Sequence, residues 1–308
     1  MGIRESVLVA LDTLWSHKLR SFLTLLGIIV SIWTLVAVVS LVQGVNKYVG
    51  DKIAGLGSNV IDVNQFSLDD MTDQKRFRQA QKSNKPISLA EYQYLRANAS
   101  LAAAVAASAG RQAGTTLKAG THSMTDINVS GQTENSIALA TYTVVAGRFL
   151  DAADERHDAP VAFLGADVAQ KLFPGVDPMG QQFSIDGHNF TAIGQASVQG
   201  NVFGQSQDSF VVIPLGVYRG MYGTRDSLDV NVKAPSALML GAVSDQVRVL
   251  MRNIRHLRYQ DKDTFGLIGA DSLMALFHQL TGVIAAVMIG VSFVFLVVGG
   301  IVIMNIML

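Results

Sequence analysis

The chain has 308 residues with 24 basic and 24 acidic side chains, so its formal net charge is zero, which argues against a nucleic-acid partner. Hydrophobic residues make up 49% and charged residues only 16%, with a mean hydropathy of +0.32. Soluble domains carry about a quarter charged residues, so part of this apolar content is assigned to lipid. The absence of cysteine excludes disulfides, thiolate metal sites and a cysteine nucleophile.

The first element is amphipathic. Ile3, Val7, Leu8, Leu11, Leu14 and Trp15 recur at helical spacing, with Arg4, Glu5 and Asp12 on other faces. Residues 1–20 therefore read as a helix lying in the membrane interface, with Leu11, Leu14 and Trp15 turned to lipid and Lys18 and Arg20 at its polar end.

Residues 21–46 contain no charge. About 20 apolar residues cross a bilayer, and a signal peptide's apolar region is only about 7–15 residues long, so an uncleaved span is expected. Lys18 and Arg20 favour a cytoplasmic N-terminus. A helix over 21–54 would be about 50 Å long against a hydrocarbon core of about 30 Å, and so would project as a stalk. The second uncharged run, residues 279–308, follows a cap at Asp271 or Ser272, making residues 271–308 a second stalk and span. Gly27 and Ser31 on the first helix, and Gly282, Ala286 and Gly290 on the second, fall at four-residue spacing and are candidates for close helix packing.

Between the spans, residues 59–64 alternate as a strand, and the polar, charge-rich stretch 67–85 reads as a mobile loop. Ser88 and Glu91 form a capping box that opens a short helix through Leu95. Runs of β character follow near Val105, at 115–118, at 125–129 and at 142–149. A helix over 165–173 stops at Pro174, and a hairpin turns at Asp186-Gly187. Strands are expected at 210–213 and 228–232, then a long helix with Leu240, Val243, Val247, Leu250, Met251, Ile254 and Leu257 on one face. Its Arg248, Arg252, Arg255 and Arg258 suggest a solvated face or an acidic partner. A last strand at 264–268 leads to the second stalk.

Strands and helices intersperse without a repeating βαβ order. The expected fold class is α+β: two transmembrane helices with stalk extensions flanking a two-lobed α+β periplasmic domain. Residues 55–150 and 226–270 form one lobe, and 151–225 form an inserted β-rich lobe.

The six histidines, His17, His122, His157, His188, His256 and His278, are isolated in sequence and show no short ligand spacing. No Gly-x-Ser-x-Gly elbow and no phosphate-binding loop occur. No catalytic, cofactor-binding or metal residue is assigned and no cofactor is expected, so the energy for any work is expected to come from a partner.

Several local patterns in order carry a family resemblance: Lys18-Leu19-Arg20-Ser21-Phe22-Leu23-Thr24-Leu25-Leu26-Gly27-Ile28, then Val145-Ala146-Gly147-Arg148-Phe149-Leu150, Asp177-Pro178-Met179-Gly180-Gln181, Val212-Ile213-Pro214-Leu215 and Gly299-Gly300-Ile301-Val302-Ile303-Met304-Asn305. Together they resemble the MacB-like and FtsX-type permeases of ABC transporters. The resemblance implies a porter-like first lobe and a permease dimer, homomeric or heteromeric. It also implies a separate cytoplasmic ABC ATPase, with a periplasmic adaptor and outer-membrane duct as further partners in some members. It places the chain in the bacterial inner membrane as a multi-pass, non-enzymatic subunit that couples ATP hydrolysis to periplasmic motion and to export or release of substrate. Family permeases have four spans and this sequence stops inside the second, so the expectation is either a fragment lacking the other two or a chain that cannot couple to its ATPase in the family's way. The alternative is a two-span sensor receptor with an extracytoplasmic ligand-binding domain.

Overall fold

The computed structural model describes residues 59–269, apart from 112–113, 141, 203–204 and 225–226, together with scattered positions between 18 and 44 and between 272 and 304. Those scattered positions are all helical, and Phe22, Ile29, Ile32, Trp33, Val283, Val287, Phe293 and Val294 among them are exposed. Half of the positions in the two apolar runs lie outside the described residues. Among the described residues no helix is long and apolar enough to cross a membrane.

Residues 53–272 form one compact unit. Its elements run β1 (Val60–Asn64), α1 (Leu68–Thr72), α2 (Gln74–Ser83), α3 (Leu89–Asn98), β2 (Ala104–Arg111), β3 (Leu117–Ala119), β4 (His122–Met124), β5 (Asn128–Gln132) and β6 (Val144–Gly147). Then come α4 (Ala152–Arg156), β7 (Val161–Leu164), α5 (Ala166–Leu172), β8 (Gln182–Ile185), β9 (His188–Ala196), β10 (Asn201–Val202), β11 (Gln205–Ser206), β12 (Phe210–Pro214), α6 (Leu215–Tyr222), β13 (Asp229–Lys233), α7 (Leu240–Ile254) and β14 (Gly266–Gly269).

Twelve strands make one mixed sheet in the order β14-β1-β13-β2-β5-β12-β7-β9-β8-β3-β4, with β6 also paired to β9. The pairs β5–β12 and β7–β9 are parallel, and the remaining pairs in the sheet are antiparallel. The sheet therefore continues from strands within 55–150 into strands within 151–225 through the β5–β12 ladder, where Phe210 pairs Asn128 and Ile213 pairs Gly131.

Period-2 alternation sets the layers. Ile61 and Val63 of β1 and Val230 and Val232 of β13 are buried with Val105 and Ala107 of β2, beneath Tyr92 and Leu95 of α3 and Val243, Val247 and Met251 of α7. That core continues to Ala162, Leu164, Val211 and Ile213, against Leu172 of α5 and Leu215 and Tyr218 of α6. The intervening residues Phe163 and Val212 point the other way, into a second cluster with Phe149, Leu150 and Ala196. Close approach of α6 to the sheet depends on Gly131, where a Cβ would lie 2.3 Å from that of Tyr218.

Two expectations change. Residues 67–85 form two helices, each started by a local cap. Ser67 accepts from Asp70 N at 3.2 Å in a capping box, and Asp73 accepts from Lys75 N at 2.8 Å. The arginines near the end of α7 divide: Arg248 and Arg258 are exposed, as a solvated face requires, whereas Arg252 and Arg255 are drawn in and donate to residues 258–264. There the chain reverses from α7 into β14, and its exposed carbonyls need donors.

Candidate functional site

Three helices converge on a cleft of about 510 Å³. Leu89, Tyr92, Gln93 and Arg96 come from α3, and Ala152, Glu155 and Arg156 from α4, with Asp158 just beyond it. Leu215, Gly216 and Arg219 come from α6, and Glu134 from the turn after β5. The capping box at Ser88, in which Glu91 Oε2 accepts from Ser88 N at 2.6 Å, fixes the start of α3 and so aims Tyr92 and Arg96. Gly216 lets α6 meet the segment after α4, since a Cβ there would sit 1.9 Å from Asp158 Oδ1.

The charged groups in the cleft are ordered. Arg96 Nη2 donates to Glu134 Oε1 at 2.6 Å, and its Nη1 donates to Tyr92 Oη at 3.2 Å. Glu134 N donates to Glu155 Oε2 at 3.3 Å. Burial pushes the Glu134 carboxyl up, but the hydrogen bond with Glu155, its own backbone amide and Arg96 outweigh it and leave it below the usual value. Glu155 is pushed up to about 7, first by burial and then by the Glu134 carboxylate facing it. Two carboxyl groups thus meet in one half-buried place, where a proton can be shared and Arg96 offsets one negative charge.

A second cavity of about 430 Å³ lies on the sheet face opposite α3 and α7. The alternation that buries Val63 and Val230 turns Asp62 and Asn64 of β1, and Asp229 and Asn231 of β13, toward it, with Ser108 of β2. Phe66 and Met71 line it from the α1 segment, and Phe66 packs against Phe77 of α2 with ring centres 5.1 Å apart and planes tilted by 48°. Burial raises the Asp62 carboxyl against a hydrogen bond from Asn231, and burial together with the Asp62 charge raises Asp229.

Neither place holds a nucleophile–base pair. Among the described residues no group of three or more His, Cys, Asp or Glu could hold a metal ion. Of the residues singled out from the sequence, Leu11, Leu14, Trp15, Arg20, Gly27 and Ser31 lie outside the described residues. Lys18 is helical and exposed. Gly282, Ala286 and Gly290 are helical and exposed, and a Cβ built at Gly282 or Gly290 meets nothing within 4 Å.

Sequence reasoning did not single out Glu134, Glu155 or Arg96, which no local spacing brings together. The Asp62 row did leave a trace: Val-Ile-Asp-Val-Asn and Asp-Val-Asn-Val-Lys both place polar residues at every second position.

Two motifs behind the family resemblance meet in space. Gly147 has φ +69°, and a Cβ there would lie 2.1 Å from Ile193 O and 2.6 Å from Met179 Sδ. Arg148 then pairs with the buried Asp154, donating from Nη2 to Oδ1 at 3.0 Å, and Phe149 enters the second core.

The fold defines a mixed α+β domain of the periplasmic type found in transport permeases. It aligns with the crystal structure of the periplasmic region of MacB from Actinobacillus actinomycetemcomitans at a TM-score of 0.59 and 17% identity, covering 75% of this chain and 98% of that one. It also aligns with the extracellular domain of the noncanonic ABC-type transporter YknZ from Gram-positive bacteria, at a TM-score of 0.52 and 17% identity over 68% of this chain and 100% of that one. The model of the MacB-like periplasmic core domain matches residues 21–250. The chain belongs to the MacB-like permease family.

Among its relatives is the macrolide export ATP-binding/permease protein MacB of Azoarcus sp., 30% identical over 99% of this chain and 44% of that protein. Another is a probable syringafactin export ATP-binding/permease protein of Pseudomonas syringae pv. tomato, 28% identical over 99% of this chain and 44% of that protein. The chain spans under half the length of these relatives.

Proposed function

We propose that this chain is a membrane subunit of an ABC-type exporter, working by mechanical coupling to an ATPase and without catalysis of its own. In this reading residues 21–54 and 271–308 cross the inner membrane and project as stalks, the N-terminus is cytoplasmic, and residues 55–270 stand in the periplasm. A cytoplasmic ATPase partner hydrolyses ATP, and a second permease copy completes the assembly. Motion of the stalks reaches the domain and drives release or export of a substrate.

One observation carries the reading. The strand that follows the first apolar run, β1, and the strand that precedes the second, β14, are hydrogen-bonded neighbours with Ile61 opposite Gly269. The chain thus enters and leaves the domain at adjacent positions on one edge of its sheet. Displacement of either end acts on the same two-stranded edge, and through β13 and β2 on the rest of the sheet.

The absence of cysteine makes topology directly testable. A cysteine replacing the fully exposed Tyr259 should react with a membrane-impermeant maleimide on intact spheroplasts, and one replacing Ser16 only after lysis. The opposite pattern, or equal labelling before lysis, would refute the orientation. Failure of the chain to hold any ABC ATPase encoded beside it during purification would refute the coupling.

A further inference from the structure

We propose that Glu134 and Glu155 form a proton-operated latch between the turn after β5 and α4, closed by one shared proton and opened when that proton leaves. Two observations meet here. Glu134 Oε2 is buried, and among the described residues no N–H or O–H reaches it. A buried acceptor left without a donor is costly, so a donor is required. The Glu155 carboxyl, whose Oε2 already accepts from Glu134 N at 3.3 Å, is the neighbour placed to supply one, and it can donate only while it keeps its proton.

The neighbouring charges decide how the cleft responds when that proton is lost. From α3, Arg96 pairs with Glu134 at 2.6 Å and shares its guanidinium with Tyr92, so its attraction for the Glu155 carboxylate is the smaller effect there, outweighed by burial and by the Glu134 charge. Arg156 of α4, Asp158 beyond it and Arg219 of α6 line the open side of the cleft. Two facing carboxylates repel, and Glu155 then swings from Glu134 toward the side of Arg156 and Arg219. The 510 Å³ cleft thereby loses one wall contact and gains a negative charge. The transition falls near pH 7, where the Glu155 carboxyl titrates, so the domain senses small changes of acidity on its own side. The latch involves residues 92–219 alone and stands whether or not the export reading does.

The test uses the full chain in lipid nanodiscs. Infrared difference spectra across about pH 5 to about pH 9 should show a protonated-carboxyl band bleaching with a midpoint near 7. Amide exchange over 152–157, corrected for intrinsic rates, should rise roughly tenfold above that midpoint while 166–172 stays constant. Glu155→Gln, whose amide donates to Glu134 at every pH, should abolish both changes. Glu134→Gln should move the band toward the ordinary carboxylate range. A wild-type protein with no bleaching near neutrality overturns the latch. So does pH-dependent exchange over 152–157 that persists in E155Q.

Discussion

Arg255 Nε donates to Glu91 Oε1 at 2.6 Å, and with 6% and 10% of their side chains exposed the two form an almost fully buried ion pair. Glu91 also caps α3 through Ser88, while Arg255 closes α7 and donates to Thr264 Oγ1 at 3.0 Å and Lys85 O at 3.1 Å. One guanidinium therefore joins both helices over the first part of the core to the segment that enters β14. Removing one member of such a pair strands the other and costs about 3–5 kcal/mol. Arg255→Met should lower the opening free energy of α3 by that amount, read by amide exchange of peptides spanning Tyr92 and Leu95. Adding Glu91→Met should cost less than the sum of the single losses. Simple additivity would refute the direct coupling.

Gly147 and Gly175 separate two costs of a side chain. Both lie in the left-handed region, at φ +69° and +73°. A Cβ at Gly175 meets nothing within 4 Å, whereas one at Gly147 strikes Ile193 O and Met179 Sδ. Gly175→Ala should therefore cost about 1–2 kcal/mol, from backbone conformation alone. Gly147→Ala should cost more than about 3 kcal/mol, because the β6–β9 pair must separate. Thermal unfolding of the two variants checks the difference, and equal shifts would mean that β6 is free to move.

The parts of this fold legible in the sequence are those fixed by neighbours in the chain. Ser88 and Glu91 announce α3 because both ends of a capping box lie within one turn. Asp186 and Gly187 announce the β8–β9 hairpin because both take positive φ, at 47° and 88°, as a two-residue turn requires. By contrast α2 carries four basic residues and only Phe77 and Ala80 turned inward, so it is a helix with too little apolar surface to stand out from a charged loop. The extent of the sheet was not legible, because it rests on Phe210 pairing with Asn128 across 82 residues. The same holds for the cleft. Glu134 and Glu155 are brought together by β6 running out to β9 and back, and nothing near either glutamate signals it.

Asp154 makes the acid limb of stability predictable. Its carboxyl lies below the ordinary value, first through the hydrogen bonds from Arg148, against a smaller opposing effect of burial. A depressed folded value means that the contribution is present above the ordinary carboxylate range and is lost as pH falls through the folded value. Asp154→Asn should flatten that part of the melting-temperature profile. Above it, the variant should be less stable by about 1.5–3 kcal/mol, the worth of a hydrogen bond to a charged partner. An unchanged acid limb would place the titrating group elsewhere.

Asp62 has the opposite sign. Burial raises its carboxyl above the ordinary value in spite of the hydrogen bond from Asn231, and its charge in turn raises Asp229. The folded state therefore holds on to these protons more tightly than the unfolded chain does, and stability falls as pH rises through the raised folded values. Asp62→Asn keeps an acceptor for the Asn231 amide, removes one negative charge from the polar face and lets Asp229 titrate nearer its ordinary value. The variant should match the wild type in strong acid and melt roughly 1–3 °C higher at neutral pH, a small gain because the cavity is open to solvent that screens both charges. Carbon-detected carboxyl spectra of Asp229 in the two proteins supply the decisive comparison. If the Asp229 midpoint does not move when the Asp62 charge is deleted, the two side chains do not share one field, and the alternation of β1 and β13 does not bring them to a common face.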